Sequence, residues 1–73
     1  MTRTDFILRG DHIALDGLLK AAGLAASGSA AKLLIAGGEV SVNGDVERRR
    51  GRKLRVGDEV SVDDCRIAIA APA

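Results

Sequence analysis

Six cations crowd one stretch of this chain. Arg48, Arg49, Arg50, Arg52, Lys53 and Arg55 fall within eight positions, out of 11 basic residues in a sequence of 73. No acidic residue interrupts them, although the net charge of the whole chain is only +1. The cations are therefore concentrated rather than abundant. Such a cluster recognises anions: a guanidinium group contacts phosphate through two parallel N–H groups, and lysine acts as a point charge. The partner that suits it is a polyanion, such as a nucleic-acid backbone. The bland alternative is a solvated hairpin edge whose charges discourage aggregation.

Other chemistry is missing from the sequence. His12 stands alone in a predicted turn, with no catalytic or metal partner. Cys65 is the single cysteine, which excludes an intramolecular disulfide, leaves a cysteine-based metal site short of ligands, and suits a reducing cytoplasm. It reads as a small apolar packing residue. There is no phosphate-binding glycine loop, nucleophile motif or metal-spaced cluster, so neither catalysis nor a cofactor is expected. Phe6 is the one aromatic residue. That argues against stacking bases on exposed rings, and it removes the usual anchors of a protein-binding hot spot.

The elements that must position the cations follow from periodicity. A chain of this length forms one domain, residues 1–73, whose small core leaves little room for a deep enclosed site. No apolar run approaches the roughly 18 residues of a membrane span, and Met1–Asp5 leads into no export signal. Phe6-Ile7-Leu8 predicts a short strand, and Arg9–His12 a turn. Leu15, Leu18, Leu19 and Ala22 share one face of a helix over residues 15–22, which Gly23 stops. Ser27 is the predicted N-cap of a second helix, with Ala31, Leu34 and Ile35 buried and Lys32 at the edge of that stripe. Gly37-Gly38 ends it. The short connection folds the helices back as a hairpin.

From Val40 the period becomes 2. Val40-Ser41-Val42, the turn Asn43-Gly44 and Asp45-Val46-Glu47 read as a tight hairpin. The cationic segment follows, with Gly51 able to break its alternation. Val56-Gly57-Asp58 is another turn. Val60 and Val62 form one strand, Asp63-Asp64 turns the chain, and Cys65, Ile67 and Ile69 share a face of the last. Residues 70–73 are expected to fray. The predicted class is α+β, a two-helix hairpin on a small, mostly antiparallel sheet.

The run from Ser27 to Gly44 resembles the core of the RNA-binding domain named after the fourth protein of the small ribosomal subunit, also called the alpha-L motif. The residues that carry the resemblance are Ser27, Lys32, Leu34-Ile35, Gly38, Val40, Val42 and Asn43-Gly44. Ile13, Leu15, Leu19-Lys20 and Gly23 are similar to that family's first helix, and Val56-Gly57-Asp58 with Val60 to its closing turn and strand. The likeness covers about residues 13–62. Glu47 followed by the arginine-rich run is similar to the small stand-alone bacterial members. Two positions depart from the pattern: Gly28 follows the helix-opening serine where many members attached to enzymes have arginine, and Ala14 stands where others have arginine.

The resemblance implies one RNA-binding surface built from both helices and the loop after Asn43-Gly44. On this sequence its residues are Lys20, Lys32, Arg48, Arg49, Arg50, Arg52, Lys53 and Arg55. The start of the second helix, at Ser27, Gly28 and Ser29, can offer N–H groups to a phosphate. With no aromatic platform, structured RNA of the ribosomal or transfer class is the expected partner, read by backbone, shape and 2′-hydroxyls. DNA is not excluded by phosphate contacts alone. The expectation is a cytoplasmic, bacterial, non-catalytic monomer without metal or cofactor. The competing reading is a protein-interaction adaptor that works through its sheet. A small sulfur carrier, which needs a C-terminal Gly-Gly, does not fit Ala71-Pro72-Ala73.

Overall fold

The apolar stripes produce the two helices. In the computed structural model, which describes residues 2–73, α1 spans Leu15–Ala21 and α2 spans Gly28–Ala36. Leu15, Leu18 and Leu19 of α1 are fully buried, as are Ala31 and Ile35 of α2. Leu34 is half-buried at the edge of that stripe. Ser27 caps α2, its hydroxyl accepting the Ala30 N–H at 3.1 Å. Just past the C-terminal caps, Gly23 and Gly38 both have φ of +78°, the left-handed conformation that stops a helix and that glycine adopts without strain.

Seven strands follow the chain order: β1 Thr2–Ile7, β2 Ile13–Ala14, β3 Val40–Val42, β4 Asp45–Val46, β5 Lys53–Leu54, β6 Glu59–Val62 and β7 Cys65–Ala70. Five make one sheet in the order β1-β7-β6-β3-β4, antiparallel except for β1 against β7. β2 and β5 form a separate two-stranded ladder. The inner face of the large sheet presents Val40, Val42, Val60, Val62, Ile67 and Ile69, all buried against the helices and Leu54. This is the expected α+β class with a mostly antiparallel sheet.

Three expectations need correction. The first strand begins at Thr2 and ends at Ile7 rather than covering residues 6–8. It is an exposed edge strand held by backbone pairing to β7, so apolar alternation does not mark it. Ala70 is not frayed: it stands opposite Ile7, and its carbonyl accepts the Leu8 N–H at 2.9 Å. The return strand after Asn43-Gly44 holds only Asp45–Val46 and leaves out Glu47, which opens the irregular loop over residues 47–52.

Candidate nucleic-acid interface

The site begins at the Asn43-Gly44 turn, where φ is +53° and +90°. Positive φ at both central residues matches the twist of the flanking strands and fixes a two-residue hairpin. Val42 therefore stands opposite Asp45 and Ser41 opposite Val46. The register has a consequence against hydrophobicity. Val46 shares the outward face of Ser41 and is 53% exposed. Glu47, whose N–H donates to the Val40 carbonyl at 2.9 Å, is the buried residue, at 7% exposure.

A buried carboxylate must be paired, and the cationic run supplies the partners. Arg49 donates to Glu47 through Nε at 3.0 Å, through Nη2 at 3.1 Å and through its backbone N–H at 3.2 Å. Arg52 donates through Nη1 at 2.7 Å. Side-chain hydrogen bonds from Arg49 and then Arg52 hold the Glu47 carboxyl down at about 2, outweighing the opposing effect of burial. The same carboxylate raises the Arg49 pKa. Glu47 thus closes residues 47–52 into a ring of backbone around one anion.

The loop is also fastened to both helices. The carbonyls of Arg52 and Arg50 accept the Leu15 and Asp16 N–H groups at 2.9 and 3.1 Å. These bonds satisfy the start of α1, which has no side-chain cap. At the other end, the Arg48 guanidinium lies on the backbone of Gly38, just past α2. A Cβ at Gly38 would stand 2.7 Å from Arg48 Nη2. A cation there suits the negative end of the helix dipole. The loop therefore bridges the beginning of α1 and the end of α2.

The predicted residues divide into groups. Arg48, Arg49 and Arg52 are turned toward protein partners, although the Arg49 side chain remains 76% exposed. Arg50, Lys53 and Arg55 are exposed and make no ion pair with the described residues. Lys53 stands opposite Ala14, beside the start of α1. Lys32 is exposed on α2. Lys20 is exposed in the last turn of α1, and with Ser27, Gly28 and Ser29 it occupies the helix ends opposite the loop. A seven-residue helix is about 10 Å long, so these groups form an extended surface rather than one focus. The Ser27 hydroxyl is committed to its cap, and the Gly28 and Ser29 N–H groups at the helix start have no acceptor among the described residues.

The sequence reading gives no anchoring role to two features. One is Glu47, whose inward position follows from the two-residue turn once its register is counted. The other is a link between turns. Asn43 Nδ2 donates to Asp58 Oδ1 at 3.0 Å, and Asn43 Oδ1 accepts the Glu59 N–H at 2.9 Å. Asp58 Oδ2 accepts the Arg55 N–H at 2.8 Å. The Arg55 backbone bond, then the Asn43 bond, hold the Asp58 carboxyl below its ordinary value.

The family profile described as "S4 domain" matches residues 6–70. The Escherichia coli protein named "Putative RNA-binding protein YbcJ" is 46% identical over 50 residues, which cover 68% of this chain and 71% of that protein. The Bacillus subtilis protein named "Probable ribosome maturation protein RlbA" is 45% identical over 53 residues, covering 73% of this chain and 75% of that one.

Proposed function

The chain belongs to the S4 domain family, and from that premise we propose that it is a non-catalytic RNA-binding protein whose contact surface is the 47–52 loop with the exposed faces of α1 and α2. The observation that carries this reading is the loop's construction. Glu47 and the helix ends fix its backbone, while the side chains of Arg50, Lys53 and Arg55 stay exposed and make no ion pair with the described residues. A loop whose backbone is already ordered loses less freedom on binding a phosphate backbone. Arg49 keeps an exposed guanidinium edge for the same purpose. Lys32, Lys20 and the Gly28 and Ser29 N–H groups extend the surface along the helices.

The RNA is structured, of the ribosomal or transfer class, because the chain has no aromatic platform for unstacked bases. One relative carries ribosome maturation in its name, and an assembling ribosomal RNA in the cytoplasm is a partner of this kind. One chain carries the whole surface, so each copy binds RNA without a contribution from another. Phosphate contacts alone do not separate RNA from DNA, and 2′-hydroxyl contacts favour RNA.

Fluorescence anisotropy with a labelled ribosomal RNA hairpin tests the proposal. Arg50→Ala with Lys53→Ala removes two exposed cations and leaves the Glu47 anchor intact. Affinity is expected to fall at least tenfold at low salt. Unchanged affinity would move the surface away from the loop.

A further inference from the structure

The sheet edge farthest from the basic loop is built to receive a strand. β1 is hydrogen-bonded to β7 on one side only, while β4, which leads into the loop, lies at the opposite edge. Backbone parity fixes what the open side presents. The Thr2 N–H donates to the Asp64 carbonyl at 2.8 Å and the Leu8 N–H to the Ala70 carbonyl at 2.9 Å. The even-numbered residues of β1 thus face β7, and the N–H and C=O groups of Arg3, Asp5 and Ile7 point outward. A strand added here must pair with those three.

Their side chains add a selection rule. Thr4 stands opposite the buried Ile67 and half-buried Phe6 opposite the buried Ile69, so Arg3 and Asp5 project from the other face. Both are exposed, and neither makes an ion pair with the described residues. Arg3 is in register with Arg66, a like charge directly across the ladder, which is unfavourable.

We propose that β1 pairs antiparallel with β1 of a second copy of this chain, about a two-fold axis through Thr4. Arg3 then stands opposite the second copy's Asp5, and Asp5 opposite the second copy's Arg3. Centring the pair on Arg3 would oppose two arginines, and centring it on Asp5 would oppose two aspartates. Only the Thr4-centred register joins outward-facing backbone groups and opposite charges together. It also gives Arg3 a carboxylate on the side away from Arg66. Charges of one sign would protect an edge from pairing; alternating signs select one register. The interface is isologous. It is shorter than the interfaces of about 1,200 Å² or more that hold stable complexes, so association is weak.

This proposal does not rest on RNA binding. It leaves both basic loops free at the outer edges of a ten-stranded sheet, nine strand spacings or about 40 Å apart. Sedimentation equilibrium from micromolar to millimolar concentration reads it directly. The unaltered chain is expected to show a monomer–dimer equilibrium. Arg3→Asp and Asp5→Arg should each raise the dissociation constant about tenfold or more, since each turns two attractive cross-strand pairs into repulsive ones. The double variant should regain association, and an equimolar mixture of the two single variants should form mixed dimers. Amide exchange at Arg3 and Asp5 that slows with concentration in the unaltered chain would support the register without any substitution. A concentration-independent monomer, association unmoved by either single change, or a double variant that fails to recover would overturn the proposal.

Discussion

A carboxylate set beside six cations need not be only a local neutraliser. Glu47 uses two of those cations to hold a loop in shape, and its titration should report that work. Its folded pKa is about 2, against an ordinary value of 4.5. Between those values the unfolded chain binds more protons than the folded one, so stability rises with pH there. The contribution is complete above about pH 5 and is lost as pH falls toward 2. Asp58, also lowered, adds in the same direction. Melting temperature followed against pH should fall on the acid side, and the fall should be shallower in Glu47→Gln. Parallel acid slopes for the two proteins would remove Glu47 from this role. Ser27 makes a simpler prediction. Ser27→Ala loses the bond to the Ala30 N–H and should cost about 1 kcal/mol. In a domain of this size that lowers the melting temperature by about 4–8 °C.

At the scale of elements, the two turns at one end of the sheet act as a unit because Asn43 both shapes its own turn and bonds to Asp58 and Glu59. Two substitutions separate these roles. Asn43→Gly keeps the positive φ and loses the side-chain bonds, costing about 1 kcal/mol. Asn43→Ala loses the same bonds and also puts in the left-handed region a residue that tolerates it less well than asparagine or glycine, adding about 1 kcal/mol. Urea unfolding should therefore rank them in that order, and equal losses would mean that the turn conformation contributes nothing. The same elements show what a reader of the sequence can see. Both helices are legible from Leu15, Leu18, Leu19, Ala31 and Ile35, because apolar residues at helical spacing have one way to be buried. The turn is legible from Asn43-Gly44. The inward Glu47 is concealed because the apolar alternation points to Val46 instead, and turn geometry overrides it. β1 is concealed because an edge strand is held by backbone bonds, and its parallel partner lies some sixty residues away. The path of the loop over both helix ends is likewise a non-local fact, written in carbonyls that any residue would supply. The cations themselves were plain in the sequence, but not that Arg49 and Arg52 spend hydrogen bonds on Glu47 while Arg50 and Lys53 do not.

At the scale of the whole molecule, near-neutral net charge and a local concentration of cations must be reconciled, and salt dependence does so. Long-range attraction is weak for a chain of charge +1, so binding depends on phosphates that meet the basic surface directly. If about five phosphates are neutralised, log affinity against log salt should have a slope of about −3 to −4. Each exposed cation removed should make that slope shallower by about 0.7. Arg50→Ala and Lys53→Ala should do so fully if they touch phosphate. Lys20→Ala, at the opposite helix end, should change the slope only with RNAs long enough to run about 10 Å beyond the loop. Titrating each variant against a short and a long hairpin therefore maps the surface end to end. A slope that drops equally for Lys20→Ala with both hairpins would mean that the RNA lies along the helices rather than across the loop. The hairpins should in turn bind more tightly than an unstructured strand of equal length, because this surface carries no aromatic ring on which successive unpaired bases could stack.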